Sequence, residues 1–450
     1  MPSRRVFASV TLVIMLGSLE KSIITTPLPV IGRELMAGPG LTWIVTSYLL
    51  AATAALPLYG KLSDLYGRVR LLNLAITLFL LGSIACALAQ NLPQLLGARV
   101  LQGIGGGGLI ALAFTIIADT IPPREVGRYQ AYISAVYAVS SIAGPLLGGY
   151  CAEHLSWRLI FWINLPLGAL ALWLVNRYLG HLNVRRHSRF DWKGAALLVI
   201  ATTLTLLLLS PEHTLPPLWL AAALAAALTL LVLVERSAHD PILPAQLARR
   251  HDYLVSLLLI LVAQLLMFAL LLYLPLQLQW EKGLGAADSG RILIIFMFSI
   301  TAGAFAGGRL ISRFGHYKGY VVTGFSLAAL GLWQIQGGCG MATGLIATGL
   351  GLGLVIPALS VVAQNRLTAG ERGIGLSLLS FGRELGGAVG VAIGSSLLHL
   401  QLPPGPLTGF TPTELAAGFA TTYAGMVLIA LGALAMTLLT LRQQELTTQT

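Results

Sequence analysis

Apolar runs of about 20 residues, each long enough to cross a bilayer as a helix, recur from one end of the chain to the other. Bounded by charges, glycine and proline, they fall at about 6–29, 42–60, 71–90, 94–118, 130–151, 158–177, 190–210, 216–235, 253–279, 289–312, 318–336, 339–364, 375–400 and 412–441. Of the 450 residues, 56% are hydrophobic and only 10% are charged, against about 25% charged in soluble domains. The sequence therefore predicts an all-α polytopic membrane protein with fourteen transmembrane helices.

The first run begins like a secretory signal, with Arg4 and Arg5 ahead of apolar residues. No small-residue cleavage site follows, and Glu20 and Lys21 interrupt a hydrophobic stretch that continues to Pro29. We therefore predict an uncleaved first helix that carries two adjacent charges.

The 28 Lys and Arg residues are divided unequally between alternate connections. Three lie at membrane depth, and all but four of the others lie in connections on the same side as the N-terminus; those four are Arg33, Arg158, Lys282 and Arg291. The positive-inside rule then predicts that both termini are cytoplasmic. Because the basic residues are scattered over short loops, the net charge of +11 does not indicate nucleic-acid binding.

Two loops on the same predicted side resemble each other, 60-GKLSDLYGRVR-70 and 308-GRLISRFGHYK-318. Each lies between the second and third helices of a six-helix group, which predicts two parallel repeats. We therefore expect an N-terminal six-helix bundle at 1–180, a two-helix insert with linkers at 181–250, and a C-terminal six-helix bundle at 251–450. The alternative is that any short cytoplasmic hairpin favours glycine and basic residues, but that preference does not fix the glycine spacing.

Motifs of enzymatic or ATP-driven chemistry are missing from the sequence. It has no Walker A motif, no H-E-x-x-H and no paired Cys or His ligands. The glycines of 103–108 contain G-x-G-x-x-G, but they lie inside an apolar run that no strand precedes, so they indicate close helix packing. We therefore expect that the protein is not an enzyme and uses no metal or organic cofactor. We expect its energy to come from an ion gradient.

Five segments together resemble one family. They are the loop at 60–70, 99-RVLQGIGGGG-108, 144-GPLLGG-149, 157-WRLIFWINLPLG-168 and 19-LEKSIITTPLP-29. The chain resembles the major facilitator superfamily, and within it the fourteen-helix drug:proton antiporter branch. It departs from the pattern at Ser140, where glycine is usual, at Glu20, where aspartate is usual, and at Lys21, where a neutral residue is usual.

This resemblance implies multidrug efflux, in which a proton enters as an amphipathic organic compound leaves by alternating access. It also implies a monomer in a bacterial cytoplasmic (inner) membrane, with small organic substrates, protons and lipids as its partners. One alternative is a dedicated exporter of a single natural product, lipid or organic anion. An alternative from another class is a membrane sensor or scaffold without transport, although the sequence has no extramembrane domain that supports it.

In the loop at 60–70, Gly60 and Gly67 are predicted to permit a tight reversal, and Asp64 and Arg68 could pair if that segment were helical. By resemblance, Asp64 would face the start of the thirteenth helix near Gly373–Gly375 and gate the cytoplasmic side. The alternative is a solvated turn without a gating role.

The resemblance makes 144–149 an antiporter motif. Pro145 removes one backbone hydrogen bond, and the glycines are expected to contact a helix of the other half. They are Gly144, Gly148 and Gly149. A plain proline kink is the alternative.

Ionised groups at mid-bilayer each cost about 2.5–3.5 kcal/mol, so unpaired ones indicate function. The set comprises Glu20, Lys21, Arg99, Arg383 and Glu384. For proton coupling we expect Glu20 first and Glu384 second, with Arg99 as the switching cation. Similar depths in the membrane allow two pairings between helices, Glu20 with Arg383 or Lys21 with Glu384. The alternative to a coupling role is that these charges form permanent pairs that only hold the helices together.

The sequence does not decide which of the two adjacent charges faces the cavity. Lys21 shares a polar stripe with Ser18, Ser22 and Thr25, while the resemblance makes Glu20 the cavity carboxylate. Position alone suggests five further cavity-lining residues, Gln102, Tyr48, Gln264, Tyr273 and Gln277.

Overall fold

The computed structural model describes residues 2–120, 126–180, 192–209, 216–237, 247, 250–314, 317–338, 340–365, 367, 372–403 and 409–441. Throughout these ranges the regular structure is helical and no strand occurs.

The predicted apolar runs correspond to long helices. These are α1 (Pro2–Ile23), α2 (Trp43–Tyr66), α3 (Arg68–Leu88), α4 (Leu92–Thr120), α5 (Val126–His154), α6 (Asn164–Leu179), α7 (Trp192–Leu209), α8 (Pro217–Ser237), α9 (His251–Trp280), α10 (Ala286–Phe314), α11 (Lys318–Gln336), α12 (Met341–Asn365), α13 (Arg372–His399) and α14 (Pro412–Thr440). Short helical segments occupy Leu28–Glu34, Gly38–Leu41 and Leu159–Trp162.

Eleven of these helices are long and apolar enough to span a membrane, counting described residues only. The three long helices outside that set are α5, α11 and α13. The chain is therefore an all-α integral membrane protein with many spans.

The first predicted run is divided in two. Residues 24–27 form a turn between α1 and the segment Leu28–Glu34. Pro27 precedes that segment and Pro29 lies in its first turn, a position where the missing N–H of proline costs little. The break leaves the Thr26 carbonyl free to accept a hydrogen bond from Gln279 Nε2 of α9, at 2.9 Å.

The reversal between α2 and α3 depends on Gly67 alone. Its φ of 95° is one that residues with a Cβ rarely adopt. Gly60 lies inside α2, so the prediction that it forms part of the turn was wrong. Positions 64 and 68 do not belong to one helix, because α2 ends at Tyr66 and Arg68 begins α3. The side chain of Asp64 lies outside the part that the structure describes, so its pairing with Arg68 stays a prediction.

Helix contacts repeat at an interval of eight helices. α4 packs on both α2 and α3, as α12 does on α10 and α11. α1 packs on α5 and α6, as α9 does on α13 and α14. The same pattern of neighbours therefore occurs in α1–α6 and in α9–α14.

Among the described residues, the most extensive contacts between these repeats are those of α5 with α10 and of α2 with α13. α7 packs against α2 and α13, and α8 packs on α7. The two central helices therefore lie beside the α2–α13 contact.

The glycine run of α4 lies against its neighbours. A Cβ on Gly105 would come closer than 3.0 Å to backbone atoms of Phe79 on α3, and a Cβ on Gly107 closer than 3.0 Å to Ala52 O on α2. In the second repeat, Gly353 of α12 has the same relation to α10. The prediction that these glycines serve helix packing is confirmed.

Candidate functional site

Glu20 is sealed inside the first six helices. It has no exposed surface, and its Oε1 accepts a hydrogen bond from Arg99 Nη1 of α4. Its Oε2 accepts from Asn164 Nδ2 of α6 at 2.7 Å. Because both carboxylate oxygens are occupied, this group has the satisfied partners that a buried charge requires.

The hydrogen bonds continue beyond the carboxylate. Arg99 Nη1 also donates to Gln102 Oε1 at 2.6 Å, and Arg99 Nε donates to Ile44 O at 3.0 Å. Gln102 Nε2 donates to Ser83 Oγ of α3 at 2.8 Å. The Arg99 guanidinium lies 4.4 Å from the centre of the Tyr48 ring, a cation–π distance. Together these side chains form a closed polar network, which we call the Glu20 network (Glu20, Tyr48, Ser83, Arg99, Gln102 and Asn164).

Lys21, the next residue on α1, makes a different contact. Its Nζ donates to Glu384 Oε1 of α13 at 2.5 Å, and each of the two side chains is 14% exposed. Of the two pairings that the sequence allowed, the structure contains this one, while Glu20 pairs with Arg99 and not with Arg383. Lys21 faces the neighbouring repeat and Glu20 faces its own, because successive residues of a helix point about 100° apart.

Around Glu384 some hydrogen-bonding capacity is unused. Within the described part of the chain, Glu384 Oε2 and Arg383 Nε have no hydrogen-bond partner. Arg383 Nη2 donates to Ser360 Oγ of α12 at 2.6 Å. Tyr137 of α5 interacts electrostatically with both Arg383 and Glu384. We call Lys21, Tyr137, Ser360, Arg383 and Glu384 the Glu384 cluster.

Most of the residues suggested as cavity lining are not accessible. Tyr48 and Gln102 are buried in the Glu20 network. Tyr273 is buried, with its hydroxyl donating to Val391 O at 2.9 Å. Gln277 accepts from Tyr423 Oη and donates to Glu281, both at 2.8 Å. The structure gives none of these four an accessible position, and their place in the lining stays a prediction. Hydropathy shows that a polar residue lies in a helix but not which neighbour satisfies its hydrogen bonds.

Gln264 of α9 differs from these four. It is partly exposed, and its Oε1 has no hydrogen-bond partner among the described residues. It remains compatible with a place in the lining.

The antiporter motif packs on two helices. A Cβ on Gly144 or Gly148 would come closer than 3.0 Å to atoms of α1, and a Cβ on Gly149 closer than 3.0 Å to Ala286 O of α10. Thr26 Oγ1 donates to Pro145 O at 3.2 Å. The expectation that these glycines contact the other half therefore holds for Gly149 only, because the other two face α1 within their own repeat.

The predicted gate is only partly visible. The side chain of Asp64 and the surroundings of Gly373 are not among the features that the structure describes, so the expected contact between these residues stays a prediction. Arg68 Nη1 donates to Thr115 O of α4 at 3.0 Å.

A third ionic group, which the sequence reasoning missed, lies beyond the end of α1. Glu34 accepts from Trp157 Nε1 at 2.6 Å and from Arg158 Nη1 at 2.5 Å. Partial burial acts to raise the pKa of the Glu34 carboxyl, but these hydrogen bonds and the Arg158 charge outweigh it and lower that pKa. Trp157, Arg158 and Asn164 all belong to the segment 157-WRLIFWINLPLG-168. The polar residues of that motif are therefore the sequence feature that could have indicated their buried and ionic contacts.

Within the described ranges, no three His, Cys, Asp or Glu side chains come together so as to hold a metal ion.

A body of long apolar helices with a repeated contact pattern and charged residues enclosed within it is typical of a polytopic membrane transporter. The family model described as the Major Facilitator Superfamily matches residues 10–391. The chain belongs to this superfamily, whose members are transporters and not enzymes.

Several similar proteins carry names that refer to drug resistance or to efflux. The chain is 30% identical to Multidrug resistance protein 3 of Bacillus subtilis, over 84% of this chain and 76% of that protein. It is also 30% identical to MFS transporter L2 of a Phoma species, over 95% of this chain and 74% of the relative. Such relatives are consistent with the fourteen-helix drug:proton antiporter branch.

Among solved structures, a bacterial homolog of the human lysosomal transporter Spinster, in an inward-facing and occupied conformation, matches with a TM-score of 0.68. Identity is 14%, and the match covers 97% of this chain and 96% of the other. At that identity the likeness concerns the fold.

Proposed function

We propose that this transporter is a proton-coupled antiporter that exports amphipathic organic compounds by alternating access. The observation that carries the proposal is the Lys21–Glu384 ion pair, which joins α1 to α13 at membrane depth. These helices belong to different repeats, so a movement of one repeat against the other would pull the pair apart.

The proposal includes the complete topology. We propose that α5, α11 and α13 also cross the membrane, which gives fourteen spans in two six-helix bundles, 1–180 and 251–450, with the insert at 181–250 between them. The recurrence of helix contacts at an interval of eight helices supports this division. The distribution of basic residues supports cytoplasmic termini.

The proton step is assigned to the Glu384 cluster. When the repeats separate, Glu384 loses Lys21 and would be left as an unpaired charge at membrane depth, which is costly. Protonation removes that charge. Among the described side chains, those that act on Glu384 include Lys21 of α1, Tyr48 of α2, Tyr137 of α5 and Arg383 of its own helix.

The geometry favours the reverse of the order expected from the sequence, with Glu384 first and Glu20 second. The Glu20 network lies within one repeat, and both carboxylate oxygens of Glu20 accept hydrogen bonds inside it, so movement of the repeats would not open it. We assign Arg99 and Glu20 to a positioning role that holds α1 with Lys21 directed at Glu384.

Small organic substrates are supported by the relatives, one of which is named a multidrug resistance protein. We further propose that the protein works as a monomer in a bacterial cytoplasmic membrane, with the proton as its coupling ion and no cofactor.

Proteoliposomes loaded with a panel of fluorescent amphiphiles and given a pH gradient test the proposal. Substrate-dependent proton flux is expected for the unchanged protein, and Glu384→Gln should abolish it. Asp288→Asn is the matched control, because Asp288 forms an exposed ion pair with Arg291 outside the cluster. Unchanged coupling in Glu384→Gln would sink the assignment of the proton site, and the absence of proton flux with every amphiphile would favour a sensor or scaffold.

A further inference from the structure

The Glu384 cluster carries more positive than negative charge. Lys21 and Arg383 are cations and Glu384 is the only carboxylate among its members. Arg99, the third cation predicted within the apolar helices, is neutralised by Glu20 inside the separate network. Counting ionised side chains, the cluster therefore has one cation in excess.

An uncompensated charge at membrane depth is costly, so the excess positive charge favours a partner of opposite sign. The cluster also has N–H groups that can donate hydrogen bonds to such an anionic partner. Lys21 has three N–H donors, of which one bonds Glu384, and Arg383 Nε has no acceptor within the described part of the chain.

The pairing of Lys21 with Glu384 also limits what Glu384 can bind. A ligand ammonium would have to displace the Lys21 ammonium, which already donates to Glu384 Oε1 at 2.5 Å. A ligand carboxylate needs no such displacement, because it can accept from the unused donors of Lys21 and Arg383. Lys21 thus acts as a built-in counterion that disfavours cationic ligands at this carboxylate.

We infer that Lys21 and Arg383 form the head-group site of the substrate and that it selects amphipathic molecules ending in a carboxylate over those ending in an amine. This inference rests on the proposed export function and narrows its substrate class. Tyr137 and Ser360 lie beside the same charges and add hydroxyl groups to the site.

Equilibrium binding of three dansyl-labelled undecyl probes to the purified protein in nanodiscs tests the inference. The probes share one chain and end in a carboxylate, a carboxamide or a primary amine, and empty nanodiscs correct for partitioning into lipid. A charge-assisted hydrogen bond contributes about 1.5–3 kcal/mol, so the carboxylate should bind about ten-fold or more tightly than the amine.

Substitution of the two partners should act in opposite directions. Lys21→Gln removes a cation and should weaken carboxylate binding about ten-fold while strengthening amine binding. Glu384→Gln frees Lys21 and should strengthen carboxylate binding and weaken amine binding. Lys282→Gln, which removes a half-exposed cation paired with Glu281, is the matched control and should change neither.

A purely structural ion pair predicts something different, since breaking it from either side would change binding in the same direction. That result, or tighter binding of the amine to the unchanged protein, overturns the inference. If Lys21→Gln does not fold, Arg383→Gln provides the second arm, with the same expected loss of carboxylate binding. No gradient is present, so a failure of proton-driven export in vesicles would count against the proposed function and leave this binding order unaffected.

Discussion

Glu20 and Lys21 are adjacent on α1, yet their ion pairs occupy opposite environments. The Glu20–Arg99 pair is enclosed by helices of one repeat, with side chains 0% and 1% exposed. The Lys21–Glu384 pair joins two repeats, and both side chains keep 14% exposure. A fully satisfied pair inside one rigid unit fixes helix positions, whereas a partly satisfied pair between two units can open and close.

The largest effect is expected from Arg99→Met. It leaves Glu20 fully buried without its charged partner, which typically costs about 3–5 kcal/mol. The midpoint of thermal unfolding in detergent, followed by tryptophan fluorescence, should fall strongly or the protein should fail to fold. The double variant Glu20→Gln with Arg99→Met removes both charges and should recover much of the loss. A double variant as unstable as the single one would show that Arg99 acts through its packing on Tyr48 and not through its charge.

Lys21→Met should destabilise the protein less than Arg99→Met. Glu384 keeps some exposure, so it can recruit water or take up a proton when its partner is removed. The same thermal measurement should show a smaller shift, while proton-coupled flux in vesicles should be lost. Equal loss of stability in the two variants would mean that the two pairs are both structural.

Gly148→Ala tests whether transport needs the close packing of α5 on α1, the helix that carries both Glu20 and Lys21. The added Cβ would meet Ile23 O of α1, and overpacking of this kind costs about 1–3 kcal/mol. Reduced transport with retained folding is expected. Gly60→Ala is the control, because a Cβ there would have no atom within 4 Å. Equal activity of Gly148→Ala and Gly60→Ala would contradict the close packing.

The Glu34–Arg158 pair should show the smallest effect, because its side chains are 47% and 30% exposed and exposed pairs contribute about 1 kcal/mol or less. The pKa of Glu34 is lowered from 4.5, so its stabilisation is present above pH 4.5 and is lost as the pH falls through the folded-state pKa. Glu34→Gln should therefore lower the unfolding midpoint slightly at pH 7, with the difference shrinking in acid. A difference that persists at pH 2 would show that charge is not the cause.

Much of the fold could be predicted from the sequence, because spanning a bilayer requires about 20 apolar residues. Each predicted apolar run corresponds to a long helix in the structure. The glycines of α4 also followed, since small residues in an apolar helix indicate close packing. The place of Gly60 in the turn was wrong, because the spacing of residues in a loop does not show where a helix ends. The break at 24–27 was also missed within a run that hydropathy makes continuous.

The sequence by itself determined an all-α membrane protein with a repeat, its superfamily, and which charges lie within its apolar segments. Tertiary structure alone decided their partners, since Lys21 and Glu384 are 363 residues apart and meet only through helix packing. A helical wheel gives the angle between Glu20 and Lys21 but not the neighbour on either side. Packing sealed one charge among polar side chains of its own repeat and directed the other to the neighbouring repeat.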